Sequence, residues 1–79
     1  DDILIGTDVS DLIFALGGND IVSGGQGNDC IIGGEGDDII FGNAGNDHLV
    51  GGEGYDIIKG NSGDDKLTGG LGFDVIDGG

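Results

Sequence analysis

A nine-residue period runs through this 79-residue chain without an insertion or deletion. Divided after Ile5, residues 6–77 read GTDVSDLIF, ALGGNDIVS, GGQGNDCII, GGEGDDIIF, GNAGNDHLV, GGEGYDIIK, GNSGDDKLT and GGLGFDVID, with partial repeats at 1–5 and 78–79. In units numbered one to nine, position six is always Asp: Asp2, Asp11, Asp20, Asp29, Asp38, Asp47, Asp56, Asp65 and Asp74. Position eight is always aliphatic: Leu4, Ile13, Val22, Ile31, Ile40, Leu49, Ile58, Leu67 and Ile76. Position one is Gly except at Ala15, and position four is Gly except at Val9. Position two is Gly or Asn from Gly25 onward, after Thr7 and Leu16. A fixed period of this kind means one small unit stacked on copies of itself.

The residue types say what the unit is. Positions one to six are rich in Gly, Asn and Asp, which tolerate positive φ and tight turns. Positions seven to nine are mostly β-branched or aliphatic, which suits a short strand. Side chains alternate across a strand, so position eight points to one side and positions seven and nine to the other. A three-residue strand cannot bury an apolar side chain alone. Turn, strand, turn, strand makes a coil of eighteen residues, with two parallel sheets facing each other across position eight. Successive coils lie about 4.8 Å apart. The expected fold is therefore all-β, a two-sheet parallel β-solenoid of about four coils forming one module over residues 1–79.

Such coils put every second repeat in one turn column. Asp11, Asp29, Asp47 and Asp65 share one column; Asp2, Asp20, Asp38, Asp56 and Asp74 share the other. Like charges ~5 Å apart cost about 0.8 kcal/mol in water and about 3 kcal/mol at an effective dielectric of 20. Two such ladders oppose stacking, and the Gly-rich turns add to the entropy of the unfolded chain. The expectation is a chain that is unfolded without a cation.

Charge points the same way. Sixteen acidic residues oppose two basic ones, for a formal net charge of −14. Nucleic acid needs a basic face, and only Lys59 and Lys66 are available. Anionic membrane surfaces are disfavoured for the same reason. No apolar run approaches the ~18 residues of a membrane span. High acidity alone argues for disorder, but a 35% apolar content argues against it.

The repeated G-G-x-G-x-D-x-U-x pattern, with U aliphatic, resembles the RTX (repeats-in-toxin, haemolysin-type) family of calcium-binding nonapeptide repeats over the whole chain. The resemblance implies a right-handed parallel β-roll with calcium between neighbouring turns. Ca²⁺ takes six to eight oxygens at ~2.3–2.6 Å and accepts backbone carbonyls. One ion between adjacent turns of a column would see two position-six carboxylates. The resemblance adds carbonyls of early turn positions, such as two and four: Gly25, Gly27, Gly34, Gly36, Asn43, Gly45, Gly52, Gly54, Asn61, Gly63, Gly70 and Gly72. Full pairs are 11/29, 29/47, 47/65, 20/38, 38/56 and 56/74, with an edge site at Asp2/Asp20. That makes roughly six to seven ions. The resemblance further implies secretion of an unfolded chain through a type I channel, and folding in an extracellular or cell-surface setting. No C-terminal secretion signal is visible in these residues.

Other metals fit less well. Mg²⁺ demands compact octahedral geometry and sheds water reluctantly. Zinc favours His and Cys ligands. Cys30 and His48 share a position-seven column, but two outward side chains on a sheet face is the plainer reading. Cys30 is the one cysteine, so it has no internal disulfide partner.

Catalysis has little support. Ser10, Ser23 and Ser62 fall in different repeat slots, and one His cannot serve several triads. The Gly-rich turns lack the basic residue of a phosphate cradle. A ligand-binding module for polysaccharide, ice or a cell surface is the alternative. Ice binding wants a regular outward row, yet position three reads Asp8, Gly17, Gln26, Glu35, Ala44, Glu53, Ser62 and Leu71. Polyuronate binding wants cations, which are scarce. The outward positions are unusually apolar, with Ile3, Ile21, Ile39, Ile57 and Val75 at position seven of one column. They suit packing against a flanking domain or a neighbouring roll. The opening in mid-repeat and the terminal Gly78-Gly79 read as a segment of a longer protein, whose activity lies elsewhere. GTDVSD is the weakest turn, since Val9 replaces Gly.

Overall fold

Each repeat ends in a triplet with an aliphatic centre, and each triplet is a strand. The computed structural model describes residues 2–78; Asp1 and Gly79, in the terminal partial repeats, lie outside the described residues. Among the described residues there are nine strands and no helix: β1 (Ile3–Ile5), β2 (Leu12–Phe14), β3 (Ile21–Ser23), β4 (Cys30–Glu35), β5 (Ile39–Phe41), β6 (His48–Glu53), β7 (Ile57–Lys59), β8 (Lys66–Leu71) and β9 (Val75–Asp77).

The strands form two parallel sheets, β1-β3-β5-β7-β9 and β2-β4-β6-β8. Register pairs such as Leu4↔Val22 and Ile31↔Leu49 put one coil eighteen residues from the next. The chain is a β-solenoid of about four turns, as the period predicts. Its extents are 27 × 21 × 13 Å. Among the described residues, no helix is long and apolar enough to cross a membrane.

Position eight fills the interior. Val22, Ile31, Ile40, Leu49 and Ile58 are fully buried, with Leu4, Ile13 and Leu67 packed against them. Burial fades at the last coil, where Ile76 is half exposed, because no further coil of the described chain covers it. Positions seven and nine face out, and Ile3, Leu12 and Phe14 are exposed.

Strand length corrects one expectation. Strands of three residues hold in the five-stranded sheet, but β4, β6 and β8 run to six, through positions one to three of the next repeat. Pairing continues there as Gly34↔Gly52 and Glu35↔Glu53, then Gly52↔Gly70 and Glu53↔Leu71. Half of the turn segment is thus sheet in this column. Gly-Gly at 33–34, 51–52 and 69–70 lets the backbones approach: a Cβ on Gly34 would collide with the carbonyl of Leu16 one coil below.

Candidate metal centre

Position six immediately precedes each strand and lies two residues from position eight, so alternation turns it inward as well. Asp20, Asp29, Asp38, Asp47 and Asp56 are accordingly buried, at 0–3% exposure. Asp65 and Asp74 are half-buried, and Asp2 is exposed.

The carboxylates form two ladders with the backbone interleaved. The N–H of Asp11 donates to Oδ1 of Asp29 (2.8 Å), that of Asp29 to Asp47 (2.8 Å), and that of Asp47 to Asp65 (2.8 Å). In the other column Asp2 donates to Asp20 (2.8 Å), Asp20 to Asp38 (2.9 Å), Asp38 to Asp56 (2.9 Å) and Asp56 to Asp74 (3.1 Å). The expected face-to-face repulsion of carboxylates is therefore softened: one oxygen of each receiving carboxylate is held by a peptide N–H from the coil below.

The other oxygen is not. Oδ2 of Asp29, Asp38, Asp47, Asp56 and Asp65 is buried and accepts no hydrogen bond. A buried charged oxygen without a partner is costly. Burial pushes the carboxyl of Asp56 up to about 6 and raises those of Asp38 and Asp47 as well. The backbone N–H bonds pull each of them down; neighbouring carboxylates then push up, Asp38 and Asp74 acting on Asp56.

Beside each orphan oxygen lies a small space kept open by the position-one glycine. A Cβ on Gly33 would sit 2.6 Å from Asp38 Oδ2 and 2.7 Å from the carbonyl oxygen of Gly51 in the next coil. On Gly24 it would meet Asp29 Oδ2 at 2.6 Å and the Gly42 carbonyl at 3.0 Å; on Gly51, Asp56 Oδ2 at 2.5 Å and the Gly69 carbonyl at 2.8 Å. The donors around this space are all oxygens, which suits a hard cation of calcium's kind. No three His, Cys, Asp or Glu side chains converge on one point among the described residues. Backbone carbonyls must therefore complete any coordination shell. All twelve candidate carbonyl residues at positions two and four, including Asn43 and Asn61, take positive φ.

Three places depart from the repeat. Thr7 and Val9 do not take the positive φ of the later turns. Thr7 instead donates its N–H to Asp11 Oδ2 at 2.6 Å, and its Oγ1 lies 3.1 Å from both carboxylate oxygens. Position one of the second repeat is Ala15, which is buried, so a methyl stands where other repeats leave the space beside their Asp.

Two sets of residues escaped the sequence reading. The position-one carbonyls beside Oδ2 are one. Position five is the other: Asn28 donates its N–H to Ser10 Oγ (3.1 Å), Asp37 to Asn19 Oδ1 (2.8 Å), Asn46 to Asn28 (2.8 Å), Tyr55 to Asp37 (2.9 Å) and Asp64 to Asn46 (2.8 Å). The signal for it was present, since six of eight position-five residues carry a side-chain oxygen of the right reach. Cys30, His48 and Lys66 lie in one register column, as expected of outward sheet residues. Ser23 Oγ accepts from Asn43 Nδ2 (2.6 Å).

A family model described as the RTX calcium-binding nonapeptide repeat (4 copies) matches residues 1–30, 31–58 and 59–79. No curated protein and no solved structure matches the chain.

Proposed function

The chain belongs to the RTX calcium-binding nonapeptide repeat family, and from that premise we propose that it is a structural module whose order is coupled to calcium held along the two Asp ladders. Calcium supplies the positive charge and the adaptable oxygen coordination that buried, like-charged carboxylates require. The observation that carries this reading is the row of buried Oδ2 atoms of Asp29, Asp38, Asp47, Asp56 and Asp65, each without a partner. Two position-six carboxylates and the carbonyls at positions two and four form each site, and the position-one carbonyls face the same space.

Roughly six ions fit the pairs 11/29, 29/47, 47/65, 20/38, 38/56 and 56/74. The four pairs 29/47, 47/65, 38/56 and 56/74 keep Gly at positions one and four, Gly or Asn at two and Asp at six. Pairs 11/29 and 20/38 are weaker, because Thr7 occupies Asp11 and Ala15 stands beside Asp20. An edge site at Asp2/Asp20 would be a seventh and the weakest. At tenfold excess over Kd each site adds about 1.4 kcal/mol, so about six together add about 8 kcal/mol. That is comparable to the stability of a whole domain.

The same coupling supports a biological reading. A chain that stays unfolded where calcium is scarce can leave the cell through a type I channel. It then folds outside, where calcium at 10⁻⁴–10⁻³ M suffices for extracellular modules. The module itself is structural, and any enzymatic or toxic activity belongs to other parts of a parent protein. The apolar outer row Ile3, Ile21, Ile39, Ile57 and Val75 suits packing against such a part. Circular dichroism titrated with calcium tests the core of the proposal. The β signal should rise cooperatively with calcium and fall with chelator; a signal already complete in chelator at pH 7.5 overturns it.

A further inference from the structure

We propose that the turn edge carrying Tyr55, Phe73 and Leu71 is a docking surface for a cationic peptide segment bearing Arg or Lys side chains. The rings of Tyr55 and Phe73 stack across successive coils, with centroids 5.2 Å apart and planes 7° from parallel. Both remain exposed, Phe73 at 70%, and so does Leu71 two residues before it in the same turn. In the preceding coils position five carries a side-chain oxygen that caps the next peptide N–H, as Asp37 does for Tyr55 at 2.9 Å. Among the described residues, no bond of this kind continues from Tyr55 to Phe73. Here the array gives up a rung of its ladder and sets aromatic surface in water instead. Aromatic rings are enriched where proteins meet partners.

Charge decides the partner. Along the same turn edge the preceding positions three and five are Glu35, Asp37 and Glu53, all exposed. Glu35 and Glu53 are register partners on β4 and β6, and Leu71 follows Glu53 on β8. Like charges directly opposite one another are destabilising, and a cation lying between them relieves the strain. None of the three stands at position six, so calcium on the Asp ladders leaves their charge in place. The chain's own cations, Lys59 and Lys66, stand at positions nine and seven of their repeats rather than at positions three or five. An Arg or Lys side chain meets both halves of the surface. Its charged group lies over an aromatic face, and it pairs with the rim carboxylates. A neutral sugar would use the rings and leave the carboxylates idle. A second copy meeting this edge with its own would set Glu35, Asp37 and Glu53 against the same three carboxylates.

The test uses the whole chain in saturating calcium. Tyr55 is the one tyrosine and there is no tryptophan, so its fluorescence reports on this site alone. A hexapeptide of alternating Arg and Gly should change Tyr55 emission saturably, with a midpoint that rises with salt, while the same peptide with citrulline for Arg should not. Phe73→Ser should weaken binding about two- to fivefold, read by calorimetry, with the far-ultraviolet spectrum unchanged. The double variant Glu35→Gln, Glu53→Gln touches neither ring and should weaken it too; this variant decides the matter if Phe73→Ser fails to fold. An equal response to the citrulline peptide overturns the proposal, as does binding unchanged by the double variant. A Tyr55 response to cellohexaose but not to the Arg peptide assigns the rings to sugar. A change that follows protein concentration, with a dimer in sedimentation, assigns them to a second copy.

Discussion

The peptide N–H of Asp38 donates to Oδ1 of Asp56 one coil further on, at 2.9 Å, while Oδ2 of Asp56 is buried and accepts nothing. The two oxygens of one carboxylate thus differ: Oδ1 joins coils through the backbone, and Oδ2 is the one assigned to the cation in the proposed calcium site.

Substitutions at Asp56 separate those roles. Asp56→Asn keeps an Oδ1 acceptor for Asp38 and removes the charge. It should lose the calcium ions of the 38/56 and 56/74 pairs, about two per chain, in calorimetric titration and still fold at high calcium. Asp56→Ala also strands the buried Asp38 N–H, at an additional cost of about 1–3 kcal/mol. Equal calcium stoichiometry in wild type and Asp56→Asn would contradict the split.

Burial sets a pH dependence. The carboxyl of Asp56 is pushed up to about 6 in the folded chain, and those of Asp38 and Asp47 are raised too. A carboxyl with a folded value above its unfolded one favours folding when protonated. Its contribution is complete below about pH 4, and is lost as pH rises through about 6. For Asp56 alone the shift corresponds to roughly 3 kcal/mol. In chelator, β structure should therefore be greater at pH 4.5 than at pH 7.5. Calcium competes with the same protons, so its affinity should fall as pH drops through 6. Circular dichroism in chelator and calcium titration across this range measure both, and an opposite trend in either would refute the assignment.

Gly33→Ala fills a cradle without removing any side-chain oxygen. Its Cβ would sit 2.6 Å from Asp38 Oδ2 and 2.7 Å from the Gly51 carbonyl. Gly33 is not among the positive-φ glycines, so a loss here is steric and local. One calcium ion should be lost or weakened while the remaining coils still order. Ala15 is the chain's own version of this change, and Ala15→Gly should strengthen binding in the Asp20/Asp38 pair. Unaltered calcium isotherms for both variants would show that the space is not part of the site.

At position five, Asp37→Asn should be nearly neutral, because Asn19, Asn28 and Asn46 make the same bond in other coils. Asp37→Ala removes the acceptor for the Tyr55 N–H and should cost about 0.5–1.5 kcal/mol. Denaturant unfolding in calcium distinguishes the pair; equal stability of the two variants would remove the ladder's role.

Much of this architecture was legible in the linear pattern. An unbroken period of nine, with Asp at six and an aliphatic at eight, sorts residues into columns, because alternation along a strand and a parallel register leave no freedom once the coil closes at eighteen. Val22, Ile31, Ile40, Leu49 and Ile58 could be placed in the core that way, and Asp38 over Asp20. What the pattern does not contain is the offset of one coil against the next at the level of atoms. That offset gives Oδ1 of Asp56 to the Asp38 N–H and leaves Oδ2 beside the position-one glycine. It carries pairing on through Gly34 and Glu35, and it lays the ring of Phe73 on that of Tyr55. Periodicity names the residues that share a rung; only backbones packed a strand's width apart decide which of their atoms meet.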